Sequence, residues 1–252
     1  QDKDALLNVI DDSRFLLINE NFRFIKRFLR FHGIKSVDGI LADFGVSSHQ
    51  FDKPERGFSI RFDALLDMRM NQQDGQTASE WLMTADEKDI SYVLWKYGEE
   101  KFSRRIARQI VAARASKAIE TTRQLVDIIE EGTPRKDPNK HPATRSFQAI
   151  RIYINQELSD LEAGLKAAVK VLNPGGKLVV ISFHSLEDRI VKRFMREHAK
   201  GDSHIPRGLP VTEDQLNRRL ILLSKARKPS PHEIDINPRS RSAVMRVAEK
   251  IA

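Results

Sequence analysis

Two short apolar segments of the sequence each end in a cluster of small polar residues. The first, VDGILAD, covers 37–43, and the second, KLVVISF, covers 177–183. Each follows a segment whose apolar residues have helical spacing, at 21–34 and 146–172. Strands that alternate with amphipathic helices are typical of a parallel sheet with crossover helices. The sequence therefore predicts an α/β fold, and the apolar run Ser13 to Asn19 is predicted as a further buried strand.

Roughly a hundred residues separate the two polar-ended strands, which is too many for a simple crossover between neighbouring strands. This stretch opens with a Gly-, Pro- and charge-bearing segment at 51–76, which predicts a long loop, either ordered or disordered. Several helical segments follow it. We therefore predict a discontinuous core domain at 1–50 and 144–252, with an inserted loop and helical domain at 51–143.

Local signals predict where several elements begin and end. A hydroxyl followed three residues later by a carboxylate is a capping box, and glycine favours a helix C-terminus. These signals occur at Thr77 with Glu80, Thr84 with Glu87, Ser185 with Asp188, Gly98 and Gly132. The unbroken apolar face of 146–172 predicts one long helix, which NPGG ends. Two strand-like runs around a Pro-rich loop near the C-terminus predict a hairpin.

Asp43 is the first candidate for a functional residue. In open α/β sheets, ligands bind beyond the carboxyl ends of the strands, and Asp43 stands at such an end. The alternative is a turn or helix-capping role. No helix is predicted to begin at Phe44 or Gly45, and Gly45 with Ser47 and Ser48 indicates an irregular loop. We therefore favour a functional role for Asp43.

His184 follows the second strand in ISFHSLEDR. The predicted capping box of Ser185 and Asp188 explains those two residues without any function. It does not explain His184, which either bonds to a loop carbonyl or lines a pocket. Both interpretations stay open, because loops beyond strand ends concentrate functional residues.

The formal net charge of +8 and the pI near 9.7 favour a polyanionic partner. A soluble basic protein without such a partner is the alternative, and the placement of the charges decides between them. Basic residues cluster in PRKDPNKHPATR, in the helical segment KFSRRIARQ and near the C-terminus, which favours a nucleic acid over a small substrate. The candidate RNA-binding residues are Arg135, Lys136, Lys140, His141 and Arg145.

Several classes of protein are excluded by what the sequence lacks. There are no cysteines, so a disulfide scaffold, a Cys-ligated zinc site and a Cys nucleophile are ruled out. No metal site is predicted. The sequence contains no run of eighteen apolar residues, so no membrane span is predicted. The acidic start lacks the pattern of a signal peptide. We expect a cytoplasmic protein.

Long segments of the sequence resemble the RsmH (MraW) family of rRNA cytosine-N4 methyltransferases. The resemblance covers essentially the whole chain in consistent order. The motifs that carry it are DGILADFGVSSHQFDKPERGFSIRFDALLDMRM, YGEEKFSRRIARQIV, HPATRSFQAIRIYINQEL, LNPGGKLVVISFHSLEDRIVKRFMRE and NPRSRSAVMRVAEK.

The resemblance implies a Rossmann-like sheet that binds S-adenosylmethionine and carries an inserted helical domain. It implies methylation of the exocyclic amine of a cytidine in the decoding region of the small-subunit (16S) rRNA. By motif, the cofactor contacts fall on Phe22, Asp43 and Gln50. Asp43 and His184 are the candidate catalytic residues, as acceptors of hydrogen bonds from the amine. The expected partner is 16S rRNA or the small ribosomal subunit, and the oligomeric state, including a homodimer, is left open.

The sequence departs from the family at its start. The family's glycine-rich loop after the first strand, and the acid that holds the ribose, would precede Gln1, so we expect an N-terminally truncated methyltransferase sheet. This leaves a second hypothesis, a non-catalytic RNA-binding or ribosome-assembly protein with a degenerate methyltransferase fold. An NAD-dependent oxidoreductase is disfavoured by the basic insertion and by the absence of a G-x-G-x-x-G motif.

Overall fold

The computed structural model describes residues 12, 14–134, 141–201 and 216–251. These residues form two compact units. The sheet unit consists of the described residues of 16–45 and 158–252, and the helical unit of those of 1–15 and 46–157. Within the described part of the chain, no helix has both the length and the apolar character needed to cross a membrane.

The regular elements follow one another in chain order. The strands are β1 (Val37–Asp43), β2 (Leu172–Ser182), β3 (Leu220–Leu222) and β4 (Val244–Lys250). The helices are α1 (Ile25–Phe31), α2 (Ser48–Asp52), α3 (Ala78–Thr84), α4 (Glu87–Gly98), α5 (Ser103–Ser116), α6 (Thr122–Gly132), α7 (Ala143–Ile154), α8 (Glu157–Val171), α9 (Ser185–Lys200) and α10 (Pro231–Ile236). Short 3₁₀ turns cover Phe22–Phe24, Pro54–Arg56 and Pro238–Ser242.

The sheet unit contains a four-stranded mixed sheet in the order β1-β2-β4-β3. β1 and β2 are parallel, whereas β4 runs antiparallel to both of its neighbours. The mixed α/β character and the strands at 37–43 and 177–183 are confirmed. The antiparallel pairing of β3 with β4 confirms the C-terminal hairpin. Parallel β1 and β2 bring their carboxyl ends to the same edge of the sheet.

One apolar core fixes the helices of the sheet unit against the sheet. The side chains of Val191, Phe194 and Met195 on α9 are buried in this core, and α9 contacts β2, β3 and β4. Each large apolar side chain buried in this way contributes about 1.5–3 kcal/mol. The other core residues are Leu161, Leu165, Ala168, Val169, Leu172, Leu178, Val180, Leu220 and Ala248.

The helical unit has a separate core, to which α3, α4, α5, α6 and α7 all contribute. Its fully buried side chains include Leu82, Ile90, Ile106, Leu125 and Ile150. The predicted ends at Thr77 and Gly132 are confirmed, since Thr77 and Glu80 form a capping box and α6 ends at Gly132. The predicted domain at 51–143 lies within this unit. Its status as an insertion that recognises substrate stays a prediction.

The loop between α2 and α3 is ordered, which decides between the two alternatives left open by its sequence. The guanidinium of the buried Arg56 donates to the carbonyl oxygens of Arg69 (3.0 Å) and Met70 (2.9 Å). Gly57 has a left-handed backbone (φ 69°), and a Cβ on it would lie 2.4 Å from the Leu65 carbonyl oxygen. Only glycine fits there without moving the loop.

The strand predicted from Ser13 to Asn19 is wrong for its described residues, 14–19. They form no strand, and Phe15, Leu16 and Leu17 are exposed. A strand needs a neighbour to satisfy its backbone hydrogen bonds, and among the described strands none pairs with this segment. The short apolar run alone was insufficient evidence for a strand.

The single long helix predicted over 146–172 is also wrong. α7 ends at Ile154, and Gln156 adopts a left-handed backbone (φ 52°) before α8 begins. Asn155 stabilises this break through its side-chain amide. Its Oδ1 accepts the backbone N–H of Met70 at 2.6 Å, and its Nδ2 donates to the Met68 carbonyl at 2.8 Å.

Two predicted helix caps in the helical unit differ from the structure. Thr84 is the last residue of α3 and donates to the Glu80 carbonyl, while Asp86 is the N-cap of α4. Gly98 is the last residue of α4, so the predicted end of this helix is confirmed, but the left-handed cap position belongs to Glu99 (φ 50°). A Cβ on Gly98 would meet the Arg145 carbonyl oxygen at 2.7 Å, so close helix packing explains this glycine. The irregular loop predicted after Asp43 also contains the short helix α2.

Candidate active site

The polar ends of β1 and β2 lie side by side in the sheet unit. Asp43 is paired in register with Ile181, and the N–H of Phe44 donates to the Ile181 carbonyl at 3.1 Å. We call residues 43–45 and 182–187 the carboxyl edge. The structure thus brings the segments of both catalytic candidates, Asp43 and His184, to one place.

Glu187 organises the carboxyl edge from the first turn of α9. Its carboxylate is buried, with the residue 1% exposed. It accepts the backbone N–H groups of Phe183 (2.8 Å) and His184 (3.2 Å). In return, His184 Nδ1 accepts the N–H of Glu187 at 3.4 Å, which completes a capping box. A buried carboxylate at a helix N-terminus is stabilised by the helix dipole and by these N–H groups.

The capping box predicted for Ser185 and Asp188 is therefore wrong, because the cap begins one residue earlier. Asp188 instead forms a bidentate ion pair with Arg246 of β4. The Nε–Oδ1 distance is 2.7 Å and the Nη2–Oδ2 distance is 3.0 Å. This pair ties α9 to the sheet and holds the start of the helix at the carboxyl edge.

Asp43 stands at the tip of β1 with its side chain exposed. Reduced hydration of the carboxyl group is the first cause that raises the pKa of Asp43, and the negative charge of Glu187 is the second. The carboxylate of Asp43 is thus a better proton and hydrogen-bond acceptor than an ordinary aspartate. Gly45 follows with a left-handed backbone (φ 97°), which explains why a small residue turns the chain here.

Two buried polar atoms of the carboxyl edge have no hydrogen-bond partner among the described residues. They are Ser182 Oγ and His184 Nε2. His184 Nε2 lies 3.2 Å from Glu187 Oε1, but outside hydrogen-bond geometry. Because Nδ1 accepts a hydrogen bond, a neutral His184 carries its proton on Nε2 and presents a donor there. Unpaired buried polar atoms are uncommon, and they fit a polar ligand at this edge.

Phe22 lies beside the same edge. Its ring is 45% exposed and packs at 5.3 Å from the ring of Phe44, which follows Asp43. The turn that carries Phe22 is anchored to α8 through the buried Asp160. The carboxylate of Asp160 accepts hydrogen bonds from Asn21 Nδ2 (2.5 Å) and Arg23 Nη1 (2.8 Å). Phe22, Asp43 and His184 therefore belong to one region of the sheet unit.

The remaining candidates lie in the helical unit or outside the described residues. Gln50 is buried in α2 and uses its Oε1 to accept the N–H of Ser47 at 3.0 Å. His141 Nδ1 accepts the N–H of Ala143, and Arg145 is half-buried in α7. Arg135, Lys136 and Lys140 fall outside the described residues. Roles in cofactor or RNA binding for these residues stay predictions.

A family model matches this chain almost from end to end. The family is described as the MraW methylase family, and the match covers residues 2–251. The chain belongs to the MraW methylase family. The resemblance noted in the sequence is thereby confirmed.

Curated proteins of known name are similar to this MraW-family chain over nearly its whole length. A protein of Dechloromonas aromatica is 54% identical over 243 residues, which cover 96% of this chain and 79% of the relative. A protein of Chromohalobacter salexigens is 51% identical over 242 residues, 96% of this chain and 73% of the relative. A protein of Pseudoalteromonas atlantica is 51% identical over 253 residues, 98% of this chain and 80% of the relative. All three are named ribosomal RNA small subunit methyltransferase H.

Sequence reasoning missed two features of the sheet unit of this MraW-family chain. Glu187 was passed over, although His184 and Glu187 have the spacing of a capping box. The second feature is that the exposed cations of α9 lie on one face of the helix. Their spacings of three, four, seven and eleven residues from Arg189 are those of residues that share a helix face. In both cases the signal is present in the sequence.

Proposed function

We propose that this protein transfers a methyl group from S-adenosylmethionine to the exocyclic N4 of a cytidine in the decoding region of 16S rRNA. Membership of the MraW methylase family and the printed names of the relatives support a methyltransferase of small-subunit rRNA. The observation that carries the proposal is the acidic carboxyl edge. There Asp43, with its raised pKa, stands beside the buried carboxylate of Glu187.

The amine of cytosine is a poor nucleophile, because its lone pair is delocalised into the ring. In our proposal the Asp43 carboxylate accepts a hydrogen bond from the amine and holds it in the direction of attack. Such positioning lowers a barrier by several kcal/mol. Formation of the bond between N4 and the methyl carbon would break the bond of that carbon to sulfur, and a neutral thioether would leave. One amine proton must also leave, and the carboxylate of Asp43 accepts it. No covalent intermediate with the protein is needed, which agrees with the absence of cysteine.

S-adenosylmethionine, when bound, supplies an electrophilic methyl group on a positively charged sulfur. The carboxyl edge fits such a group, because two acidic side chains favour a cation. Phe22 and Asp43 would hold the cofactor, with the exposed ring of Phe22 offering an apolar surface. Ser182 Oγ, which has no hydrogen-bond partner among the described residues, offers a further polar contact. Gln50 stays a predicted cofactor contact from the family resemblance.

His184 acts in this proposal as a positioning residue. Its Nδ1 is engaged in the cap of α9, so the ring fixes the start of the helix and hence the Glu187 carboxylate. Because Nε2 then presents a donor, the acceptor for the substrate amine is assigned to Asp43 alone. This narrows the pair of catalytic candidates to one residue that contacts the reacting group.

The proposal is tested by the substitution Asp43→Asn. Asparagine keeps the shape of the side chain but loses the negative charge and the ability to take a proton. We expect kcat for methylation of 16S rRNA to fall by about 10²-fold or more, as for the loss of a general base. RNA affinity should change little.

Asp38→Asn is the matched control, because Asp38 lies on the same strand and the replacement keeps an oxygen that can accept the bond from Asn173. It should methylate normally. Asp43→Asn with unchanged methyl transfer and unchanged cofactor affinity would overturn the proposal. If calorimetry shows that the wild-type protein binds RNA but not S-adenosylmethionine, the non-catalytic RNA-binding hypothesis is correct instead.

A further inference from the structure

The exposed face of α9 carries a row of positive charges. The helix is rotationally fixed, because Val191, Phe194 and Met195 are buried in the core of the sheet unit. The opposite face therefore points to solvent. Its exposed cations are Arg189, Lys192, Arg193, Arg196 and Lys200. We call these five residues the basic face.

Few acidic groups neutralise the basic face. Arg193 lies 3.5 Å from a carboxylate oxygen of Glu162 and 3.9 Å from one of Glu197. Both pairs are solvent-exposed, and such pairs contribute little. Lys192, Arg196 and Lys200 make no hydrogen bond or ion pair with any described residue. Asp188, the other acid on this side of the helix, is already paired with Arg246. The face thus presents three positive charges, those of Lys192, Arg196 and Lys200, that no described residue compensates.

The side chains of the basic face, together with Glu197, border a solvent-open space of about 370 Å³. A smaller recess adjoins it where α9 meets the hairpin of β3 and β4, and Lys192 and Arg196 line both. The hydroxyl of Ser224 in this recess is buried and has no hydrogen-bond partner among the described residues. Cations beside an unpaired hydroxyl are the groups that bind phosphate oxygens.

The length and position of the basic face indicate what occupies it. The 1.5 Å rise per residue gives roughly 16 Å between Arg189 and Lys200. A nucleic-acid strand carries one phosphate per about 3.4 Å of duplex axis, so several phosphates fit along the face. The face begins one turn after the cap of α9 at His184, which belongs to the carboxyl edge. It therefore leads from the candidate active site outwards.

We propose that the basic face of α9 binds the sugar–phosphate backbone of the RNA substrate and directs the strand to the carboxyl edge. This inference rests on the proposed function for the identity of the RNA. A membrane surface is disfavoured, because interfacial helices insert their apolar face into lipid, and that of α9 is buried in the protein core. The contacts are to phosphates, so they position the RNA without reading its sequence.

The test is the triple variant Lys192→Gln, Arg196→Gln and Lys200→Gln. These side chains are exposed and make no bonds to described residues, so the thermal unfolding midpoint should stay within a few degrees of wild type. Binding of a 16S rRNA fragment is measured over a range of salt concentrations without cofactor. We expect affinity at 0.1 M salt to fall about tenfold or more, and the slope of log K against log salt to decrease by about 2.

A matched control removes the same charge elsewhere on the sheet unit. Lys35, Lys166 and Lys170 are exposed and lie near the amino ends of β1 and β2, opposite the carboxyl edge. Their replacement by Gln should leave the salt slope within about one unit of wild type. In methylation assays, the α9 triple variant should raise KM for RNA while kcat changes little.

The outcomes separate this inference from the proposed function. Equal salt slopes for the two triple variants would overturn the inference, whether or not the protein methylates RNA. The inference would also be overturned if the wild-type protein bound no RNA. The same holds if the α9 variant lost binding to vesicles of anionic lipid but kept its binding to RNA. A further outcome is that the wild-type protein binds RNA but transfers no methyl group, while the α9 variant loses RNA binding. That outcome would support the inference and refute the proposed function.

Discussion

The carboxylate of Asp43 has a proposed role in catalysis, but its negative charge lowers the stability of the fold. Reduced hydration and the charge of Glu187 raise the pKa of Asp43 above its ordinary value of 3.8. In the pH window between 3.8 and the raised value, the native state holds the proton more tightly than the unfolded chain. Stability therefore decreases as the pH rises through this window, and the ionised carboxylate remains unfavourable at neutral pH.

Asp43→Asn should thus raise the unfolding midpoint at pH 7, because asparagine cannot ionise. The gain should shrink as the pH falls below about 3.8, where the wild-type aspartate is also neutral in both states. Thermal unfolding at several pH values measures this difference. Asp38→Asn again serves as control, since it alters the net charge equally. A lower midpoint for Asp43→Asn at pH 7 would show that its charge stabilises the fold.

At the carboxyl edge, the sequence predicted the location of the candidate site better than the roles of its individual residues. Asp43 was found because a polar residue at the end of an apolar strand is visible in the sequence. The roles of His184, Ser185 and Glu187 were not, since two overlapping spacings both fit a capping box. The choice between them depends on where α9 packs on the sheet, through contacts such as the pair of Asp188 with Arg246.

The break after α7 is the element that sequence periodicity concealed. Apolar residues continue at helical spacing through the break, from Phe147 to Leu165, so the pattern predicted one helix. The cause of the break is non-local. Asn155 hydrogen-bonds the backbone at Met68 and Met70, more than eighty residues earlier in the chain. Contacts between residues so far apart in the sequence leave no signal in the local sequence, and they override the local helix propensity.

Asn155→Ala tests whether this amide stabilises the element boundary. The substitution leaves the N–H of Met70 and the carbonyl of Met68 without their partner, beside the fully buried Met68 side chain. Each buried group left unpaired costs about 1–3 kcal/mol. We expect the free energy of unfolding to fall by about 2–4 kcal/mol, measured by urea denaturation.

Gln148→Ala is the control for Asn155→Ala, because it removes another half-buried side-chain amide, from α7, which ends one residue before Asn155. No described residue forms a hydrogen bond with the Gln148 side chain. Its replacement should change the free energy of unfolding by about 0.5 kcal/mol or less. Similar losses for both variants would mean that Asn155→Ala destabilises the fold through the loss of a half-buried side chain and not through its hydrogen bonds to Met68 and Met70.

At the scale of the whole molecule, composition predicted a basic protein with a polyanionic partner but did not locate the charge. Of the loop PRKDPNKHPATR at 134–145, favoured from the sequence, residues 135–140 fall outside the described residues. The basic face of α9 emerges only when the burial of Val191 and Phe194 fixes which side of the helix meets solvent. A charge count cannot distinguish a dispersed distribution from one helical face, whereas the packing of a helix can.

The two separate cores predict that the helical unit folds by itself. Every residue of its core cluster lies between Leu66 and Ile150, inside the continuous segment 46–157. A segment of this size with its own apolar core is within the usual range of independent domains. We expect the fragment 46–157 to be monomeric and helical by circular dichroism, and to unfold cooperatively in urea.

A shorter fragment, 46–142, shows whether that folding depends on the part of the core that α7 contributes. It lacks α7, and with it the buried residues Ala143, Phe147, Ala149 and Ile150. Truncation of a single large core side chain costs about 2–5 kcal/mol, and a domain has only about 5–15 kcal/mol in total. Loss of the whole helix should therefore abolish cooperative unfolding. A folded 46–142 fragment would mean that α4, α5 and α6 close a core without α7, although α4 packs directly against it.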